Sequence, residues 1–320
     1  MRLISDNVNN FKDYLEAYLN IFWLRPESAV WRAYDAVVMS DLDWSKRPSL
    51  DLCCADGVNS FLLRGGLFDI TFDAFLSIRD MSVREFFSGE KDIYDYPFNE
   101  RQEIGITRRP KEGFDYGIDW KYNSLKKAAR IGLYKHLICQ DANDSLPLND
   151  KSIGLVFSNS IYWLKDARFA MCELNRILKD DGRVITIMPD VSIKKHYIYE
   201  KYMKYGWEFC KVLNMGRYGH IMNCHDFAGW ESIFADSGFK IESSASYLSG
   251  RFVEISEISL RPLSKVLIKM ANTLSVADRA EIKKEWIETL MHVIMPMFED
   301  GYLSDTGGEQ TFFMFELAKK

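Results

Sequence analysis

Apolar side chains recur at intervals of three and four residues near the start of the chain. Two stretches carry the pattern: Phe11, Leu15, Tyr18, Leu19 and Phe22, then Trp31, Tyr34 and Val38. This spacing predicts one amphipathic helix over 11–24 and a second over 25–40. Pro26 suits the first turn of the second helix, where its missing N–H is not needed. We expect 1–48 to form an N-terminal helical segment.

Short apolar strands alternate with helices from residue 49 to residue 190. The predicted strands are "PSLDLCC", "FDYGID", "HLICQDA", "IGLVFSNS" and "RVITIMPD". The first of them has no polar alternation, which is typical of a parallel strand that is covered on both faces. The alternation predicts a doubly wound, mainly parallel sheet, with its ligand at the carboxyl ends of the strands. Asp51, Asp119, Asp141, Asn159 and Asp190 fall at or near those ends.

Composition narrows the classes of protein that remain. The 320 residues carry a net charge of −5, which argues against nucleic acid as a partner. None of the six cysteines has zinc-ligand spacing, and we interpret them all as reduced thiols in or near the core. The sequence lacks a signal peptide and any apolar run of about 18 residues. We therefore expect a cytoplasmic protein without stable membrane insertion.

The longest informative stretch is "QDANDSLPLNDKSIGLVFSNSIYWLKDARFAMCELNRILKDDGRVITIMPD". It contains, in order, D-x-x-x-x-L-P, a strand, a helix with E-x-x-R-x-L-K, a glycine and another strand. This order resembles that of the class I S-adenosylmethionine (SAM)-dependent methyltransferases, in particular the small-molecule group. The resemblance covers 49–72, 114–190 and 226–248, and "QTFFMFELAKK" resembles the last strand of that family. It implies a Rossmann-like, mainly parallel seven-stranded sheet with an antiparallel last strand, interrupted by helical insertions.

The resemblance also assigns roles by position. Loop 53–57 would wrap the methionine and ribose of SAM, Asp119 would bind the ribose hydroxyls, and Trp120 would lie against the adenine. Asp141 and Ala142 would face the adenine edge, and Ser158 and Asn159 would lie beneath the sulfur. The cofactor-binding residues expected in this way are Asp51, Cys53, Ala55, Gly57, Asp119, Trp120, Asp141, Ala142, Ser158 and Asn159.

The loop after the first strand departs from the family pattern, and the identity of the acid that binds the ribose is open. Cys53 and Ala55 stand where the family loop carries glycine, although some RNA cytosine methyltransferases have D-L-C-A-A-P-G here. The acid that binds the ribose is either Asp119 or Asp73. Asp73 lies at the usual distance of about 20 residues from the first strand. We favour Asp119, because it stands in a strand–acid–helix unit; 64–113 is then an insertion, with a helix expected around "MSVREFF".

Residues 191–225 follow the fifth strand, where the family often has a lid over the substrate. A helix is expected here, with Tyr199, Met203, Trp207 and Cys210 on one face. His220 and His225 are the candidate general bases, since histidine titrates near neutral pH. The expected substrate-binding residues are Tyr162, Trp163, His196, Arg217 and Tyr218. The stretch "SNSIYW" keeps only the ends of N-P-P-Y, so it favours N-methylation weakly.

The resulting prediction is a SAM-dependent methyltransferase that acts on a small molecule. The acceptor would be a hydroxyl of a sugar-like or anionic metabolite, with no metal, and the product would be S-adenosylhomocysteine. The catalytic domain would comprise 49–256 and 304–320, with a helical addition over 257–303 that packs on the domain, contributes to a homodimer, or faces a membrane surface. The alternatives are a SAM-binding protein that has lost catalysis and a nicotinamide-dependent oxidoreductase.

Overall fold

The computed structural model describes residues 8–78, 103–214, 223–299 and 309–320. The strands are β1 (Ser49–Leu52), β2 (Leu67–Phe68), β3 (Ile106–Arg108), β4 (Phe114–Asp119), β5 (Tyr134–Cys139), β6 (Ile153–Ser158), β7 (Leu178–Pro189), β8 (Phe239–Ser249) and β9 (Gln310–Lys319). The first helices are α1 (Val8–Phe22), α2 (Pro26–Val38), α3 (Val58–Leu63), α4 (Tyr122–Ile131) and α5 (Ala167–Ile177). They are followed by α6 (Ile198–Tyr202), α7 (Trp207–Asn214), α8 (Phe227–Asp236), α9 (Gly250–Glu254), α10 (Arg261–Ala271) and α11 (Val276–Glu299).

One seven-stranded sheet organises the molecule, in the order β5-β4-β1-β6-β7-β9-β8. The neighbours from β5 to β7 are parallel, whereas β9 runs antiparallel to both β7 and β8. The predicted fold class is therefore confirmed, and the last strand lies inside the sheet rather than at its edge. β2 and β3 form a separate antiparallel pair within the 64–113 insertion.

Two apolar layers cover the sheet, as a parallel arrangement requires. On one face α5 and α8 supply Met171, Leu174, Trp230 and Phe234, which pack on Val156, Val184 and Phe315. On the other face α1, α2 and α3 pack with Phe157, Ile185 and Ile187. The carboxyl ends of β1, β4 and β6 emerge at one edge between these layers.

The N-terminal helices and the helical addition pack on each other. Phe11 of α1 stacks on Phe298 of α11 with ring centroids 3.9 Å apart. The indole N–H of Trp286 donates to the Trp23 carbonyl at 2.8 Å. These contacts join the two segments, which the sequence treats as separate additions, into one apolar layer. Helical residues begin at Gly250, seven residues before the expected start of the addition.

α5 ends at Ile177, because Leu178 is fully buried and already pairs with Ile153 of β6. Two sequence expectations need correction. The lid helix is broken at Gly206, whose φ of 98° is left-handed. Cys139 and Cys172 are exposed, so they are not core thiols. None of the described helices combines the length and the apolarity that a bilayer span requires.

Candidate cofactor site

The loop after β1 keeps a left-handed backbone at all three positions where glycine would be expected. Cys53, Ala55 and Gly57 have φ values of 60°, 49° and 76°. A side chain in this region costs about 1–2 kcal/mol relative to glycine. The two substitutions have therefore left the path of the loop unchanged, and the backbone holds the strain at Cys53 and Ala55.

Asp119 fixes this loop from the end of β4. Its Oδ2 accepts a hydrogen bond from the Ala55 amide at 2.9 Å, and its Oδ1 accepts one from the Lys121 amide at 2.8 Å. The Cys54 amide also donates to the Ile118 carbonyl at 3.0 Å. These bonds hold the loop against the neighbouring strand, which explains how its strained conformation persists.

The Asp119 carboxylate still has room for a ligand. A carboxylate offers about four acceptor positions, and the two backbone amides use two of them. Burial raises the pKa of Asp119, and the hydrogen bonds from the Lys121 and Ala55 amides oppose that shift. An acceptor-rich group that is already desolvated at a strand end suits a pair of ribose hydroxyls.

Asp51 supports the loop from below instead of opening into it. Its side chain lies inside the sheet and accepts a hydrogen bond from the Tyr134 hydroxyl at 2.6 Å. Burial raises the pKa of Asp51 to about 7; hydrogen bonds from Ser60 and Tyr134 lower it, and the charge of Asp119 raises it. The structure therefore places Asp51, which the sequence predicts to bind the cofactor, in contact with Tyr134 at the start of β5.

Tyr134 was missed by the sequence analysis. A Cβ on Gly57 would lie 2.8 Å from Cε2 of this ring, and a Cβ on Gly117 would lie 2.8 Å from its Cδ1. The ring thus fills the space left by two glycines, and its hydroxyl reaches Asp51. Paired glycines on adjacent elements near a strand end are the signal that could have indicated it.

The side expected to bind adenine is open and aromatic. Trp120 and Tyr122 expose 63% and 62% of their surface immediately after Asp119. Asp141 follows β5, and its Oδ1 accepts hydrogen bonds from the amide and the side-chain nitrogen of Asn143, at 2.9 and 2.8 Å. The bond from the Asn143 amide is the main cause of its lowered pKa. Ala142 is buried beside it. An exposed ring next to a carboxylate is a suitable surface for a purine.

The E-x-x-R motif holds the loop that carries Asp141. Glu173 Oε2 accepts from the Leu146 amide at 3.0 Å, and it pairs with Arg176 at 2.8 Å. Arg176 in turn donates to the carbonyls of Leu146 and Leu148, at 3.0 and 2.8 Å. The motif therefore fixes the loop after β5 from below, from a helix that does not itself reach the site.

Polar and aromatic residues follow β6 at the expected position of the methyl group. Ser158 is buried, and its Oγ accepts from the Ser160 amide at 3.3 Å; Asn159 Oδ1 accepts from the Ser160 hydroxyl at 2.9 Å. Tyr162 lies 5.9 Å from Trp163 and 6.1 Å from Phe312, between ring centroids. The structure thus brings β6, Tyr162 and the start of β9 together at this edge.

The alternative acid, Asp73, lies elsewhere. Its Oδ2 accepts from Arg279 Nε at 2.5 Å, and both side chains are buried. Its Oδ1 accepts from the Phe75 amide at 2.9 Å. Asp73 therefore belongs to the contact between the 64–113 insertion and α11, which leaves Asp119 as the acid at the loop.

His196 is held by two glutamates rather than open to a substrate. Its Nδ1 lies 2.8 Å from Glu254 Oε1, and its Nε2 lies 3.4 Å from Glu309 Oε2. Gly250 approaches the ring so closely that a Cβ there would lie 2.1 Å from Nε2. The contacts fasten the beginning of the lid to α9 and to the segment before β9, and the expected contact of His196 with a substrate stays a prediction.

His225 lies near the carboxyl ends of β6 and β7. Its carbonyl accepts from the Val191 amide at 3.2 Å, and the nearby Asn223 side chain donates to the Leu164 carbonyl at 2.8 Å. The exposed imidazole packs edge-on against Trp230 with centroids 4.7 Å apart. His220, Arg217 and Tyr218 lie outside the described residues, as does the helix expected around "MSVREFF".

Part of the chain matches a known protein family. A family model described as "Methyltransferase domain" matches residues 112–186. No curated protein sequence matches the chain. The sheet order, with β9 antiparallel between β7 and β8, and the match of this family model over 112–186 agree with the resemblance to class I SAM-dependent methyltransferases.

Solved structures resemble the chain at low sequence identity. A SAM-dependent methyltransferase from Thermotoga maritima, described as a possible histamine N-methyltransferase, is 12% identical, with a TM-score of 0.49 and coverage of 98% of this chain and 99% of that one. Geranyl diphosphate C-methyltransferase from Streptomyces coelicolor, solved with Mg²⁺, geranyl diphosphate and S-adenosylhomocysteine, is also 12% identical. Its TM-score is 0.43, and the match covers 93% of this chain and 82% of that one.

Proposed function

We propose that the protein transfers the methyl group of SAM to a hydroxyl of a sugar-like or anionic small molecule. The observation that carries the proposal is the bond from the Ala55 amide to Asp119, which maintains the loop despite two missing glycines. The loop backbone thereby keeps a positive φ at Cys53, Ala55 and Gly57, with the Asp119 carboxylate beside it. SAM supplies a sulfonium-activated methyl group, so the proposed substitution proceeds without a metal.

The residues around the loop have distinct roles in this proposal. Asp119 holds the ribose, Trp120 covers the adenine, and Asp141 with Ala142 faces the adenine edge. Ser158 and Asn159 line the position of the sulfur, and Cys53, Ala55 and Gly57 supply loop backbone. Asp51, at the end of β1 and bonded to Tyr134, completes the proposed set of cofactor-binding residues.

The acceptor side consists of Tyr162, Trp163 and the lid over 191–225. In the transfer, the bond from sulfur to the methyl carbon breaks as the bond from carbon to the acceptor oxygen forms. The hydroxyl proton passes to a histidine of the lid, His225 or His220, which matches the ordinary role of imidazole as a base near neutral pH. Arg217 and Tyr218 provide further acceptor contacts.

The proposed organisation keeps 49–256 and 304–320 as the catalytic domain, with helices over 1–48 and 257–303 added to it. The described contacts between α1 and α11 support a shared role for the two additions in covering one face of the sheet. They make it unnecessary to assign either segment a separate catalytic function.

The experiment that tests the proposal has two parts. Isothermal titration with SAM, S-adenosylhomocysteine and NADH separates a methyltransferase site from a nicotinamide site. Incubation with isotopically methyl-labelled SAM and pooled sugar, acid and amine metabolites, followed by mass spectrometry, then identifies the acceptor. Binding of NADH alone would refute the cofactor assignment. Tight binding of SAM with no labelled product in any pool would favour the lapsed-enzyme alternative, which the two strained non-glycine residues motivate.

A further inference from the structure

The lid carries an exposed apolar segment that runs from the turn after α6 into the first turn of α7. α6 ends at Tyr202, and Gly206, with φ of 98°, turns the chain before α7 begins. Four large apolar side chains of this segment are between 42% and 60% exposed: Met203, Tyr205, Trp207 and Phe209. The core of the lid uses other residues, chiefly Ile198, Tyr199 and Cys210. The exposed rings also contact this core and each other: Trp207 lies 4.9 Å from Tyr199, and Tyr205 lies 5.4 Å from Phe209, between ring centroids.

A second apolar row lies on α10, the helix that packs against α7. Leu263, Val266 and Met270 are spaced so that they share one face of this helix, and they are between 46% and 62% exposed. The opposite face carries Ser264, Ile268 and Ala271, which are buried. α10 therefore has two apolar faces: one is buried in the core, and the other is exposed to solvent.

Lysines are interleaved with these two apolar rows. They are Lys204 and Lys211 in the lid, and Lys265 and Lys269 on α10; Lys201, just before them, pairs with Glu254 at 3.0 Å. Glu200 and Glu208 are the acids of the same two stretches, so lysines outnumber acids there although the whole chain has a net charge of −5. Lys204 Nζ lies 5.1 Å from the centroid of the Tyr205 ring, so charge and aromatic surface occur side by side.

We propose that the exposed faces of 203–211 and α10, together the lid–α10 surface, dock on an anionic lipid bilayer. Aromatic and aliphatic side chains enter the boundary between headgroups and acyl chains, while the lysines remain at the level of the phosphates. α7 has 8 residues and α10 has 11, so both are far too short to cross a bilayer and would lie along its surface.

The mixture of lysine and apolar side chains favours a lipid surface over a second copy of the chain. The buried centre of a protein interface is depleted of lysine, because each ammonium would lose its water without gaining a partner. In the lid–α10 surface the lysines alternate with the apolar residues instead of surrounding them. A bilayer accommodates this alternation, since lysine stems extend toward the headgroups while the apolar groups enter deeper.

Vesicle co-sedimentation of the full chain tests the proposal without any methyl acceptor. We expect the protein to pellet with vesicles of phosphatidylcholine and phosphatidylserine, to remain in solution with phosphatidylcholine alone, and to be released by high salt. The double variants Tyr205→Ser/Phe209→Ser and Lys204→Glu/Lys211→Glu should each lower partitioning about tenfold or more. Phe169→Ser/Val293→Ser, which alters exposed apolar residues elsewhere, is the matched control and should pellet like the wild type.

Two results would overturn the proposal. One is the absence of pelleting with anionic vesicles, or pelleting that both double variants leave unchanged while circular dichroism shows them folded. The other is self-association in size-exclusion chromatography that Tyr205→Ser/Phe209→Ser abolishes in the absence of any vesicle binding, which would assign this surface to a second copy. Cofactor titration of the same variants keeps the result separate from the proposed methyl transfer.

Discussion

The Ala55 amide donates a hydrogen bond to Asp119 Oδ2 at 2.9 Å, and this bond joins the strained loop after β1 to the end of β4. The same carboxylate has acceptor positions left for two ribose hydroxyls. Asp119→Ala should therefore weaken S-adenosylhomocysteine binding by about 1–3 kcal/mol, because it removes the ribose contact and releases the loop. Calorimetric titration of variant and wild type measures the change directly.

The control for this variant is Asp115→Asn, at the opposite end of the same strand. Asp115 binds Lys135 and the Ser49 amide, so its loss should lower stability while leaving cofactor affinity nearly unchanged. Asp73→Ala is a poor control, because it would leave Arg279 buried without its carboxylate. Equal affinity of wild type and Asp119→Ala would remove Asp119 from the ribose site.

Glycine at Ala55 should be tolerated or favourable. The φ of 49° strains alanine by about 1–2 kcal/mol, while glycine raises the entropy of the unfolded chain by a smaller amount. We expect Ala55→Gly to leave the free energy of unfolding unchanged or to raise it by up to about 1 kcal/mol, with cofactor binding retained. Ala129→Gly, at an exposed position in the last turn of α4, should cost up to about 1 kcal/mol. A loss at Ala55 as large as the loss at Ala129 would contradict strain in the loop.

Gly57 faces two separate constraints, and one control separates them. Its φ of 76° disfavours any side chain, and a Cβ would lie 2.8 Å from the Tyr134 ring. Gly65 has a similar φ of 83° with nothing within 4 Å of its Cβ position. Chemical denaturation should show Gly57→Ala to be destabilised by about 1–3 kcal/mol more than Gly65→Ala, because the ring must also move. Equal losses would mean that Tyr134 is not fixed over the loop.

The sequence predicted the parts of the fold that depend on local pattern. The alternation of strands and helices indicated the parallel sheet, and Asp119 was placed at a strand end because its unit reads as strand, acid and helix. The roles of His196 and Tyr134 could not be predicted in this way. Both depend on residues far along the chain, Glu254 and Glu309 for His196 and Gly57 for Tyr134. Periodicity carries no information about contacts at that separation.

A second class of error came from glycine. Tyr199, Met203, Trp207 and Cys210 keep helical spacing, and the pattern predicts one continuous face. Gly206 interrupts the helix with a left-handed φ, so Tyr199 and Cys210 are buried while Met203 and Trp207 are exposed. A glycine within a helical pattern is often tolerated, and only its tertiary surroundings decide whether the helix continues.

The lid histidines provide a prediction for turnover. His225→Ala and His220→Ala should leave cofactor affinity almost unchanged, because the cofactor side is formed by residues before 160. At least one of them should lower the rate of methyl transfer by about 10²-fold or more, the lower range for loss of a general base. His292→Ala, on the exposed side of α11, is the matched control. Full activity in both lid variants would exclude a histidine base.

Two buried carboxyls should give the fold a measurable dependence on pH. Burial raises the pKa of Asp35 to about 7, against the hydrogen bond from Tyr247 and the charge of Arg32. Burial likewise raises the pKa of Asp51 to about 7. The unfolded value is about 3.9, so the folded protein binds these two protons more tightly than the unfolded chain does. Their contribution to stability is therefore complete below about pH 4 and is lost as the pH rises to about 7.

Asparagine at either position removes the titration while keeping the shape of the side chain. We expect the free energy of unfolding of Asp35→Asn or Asp51→Asn, relative to the wild type, to rise by about 2–4 kcal/mol between pH 5 and pH 8. Chemical denaturation at several pH values measures this difference. Asp144→Asn, at an exposed position, is the matched control for the substitution itself. A difference independent of pH at both buried sites would mean that these carboxyls are ionised throughout the range.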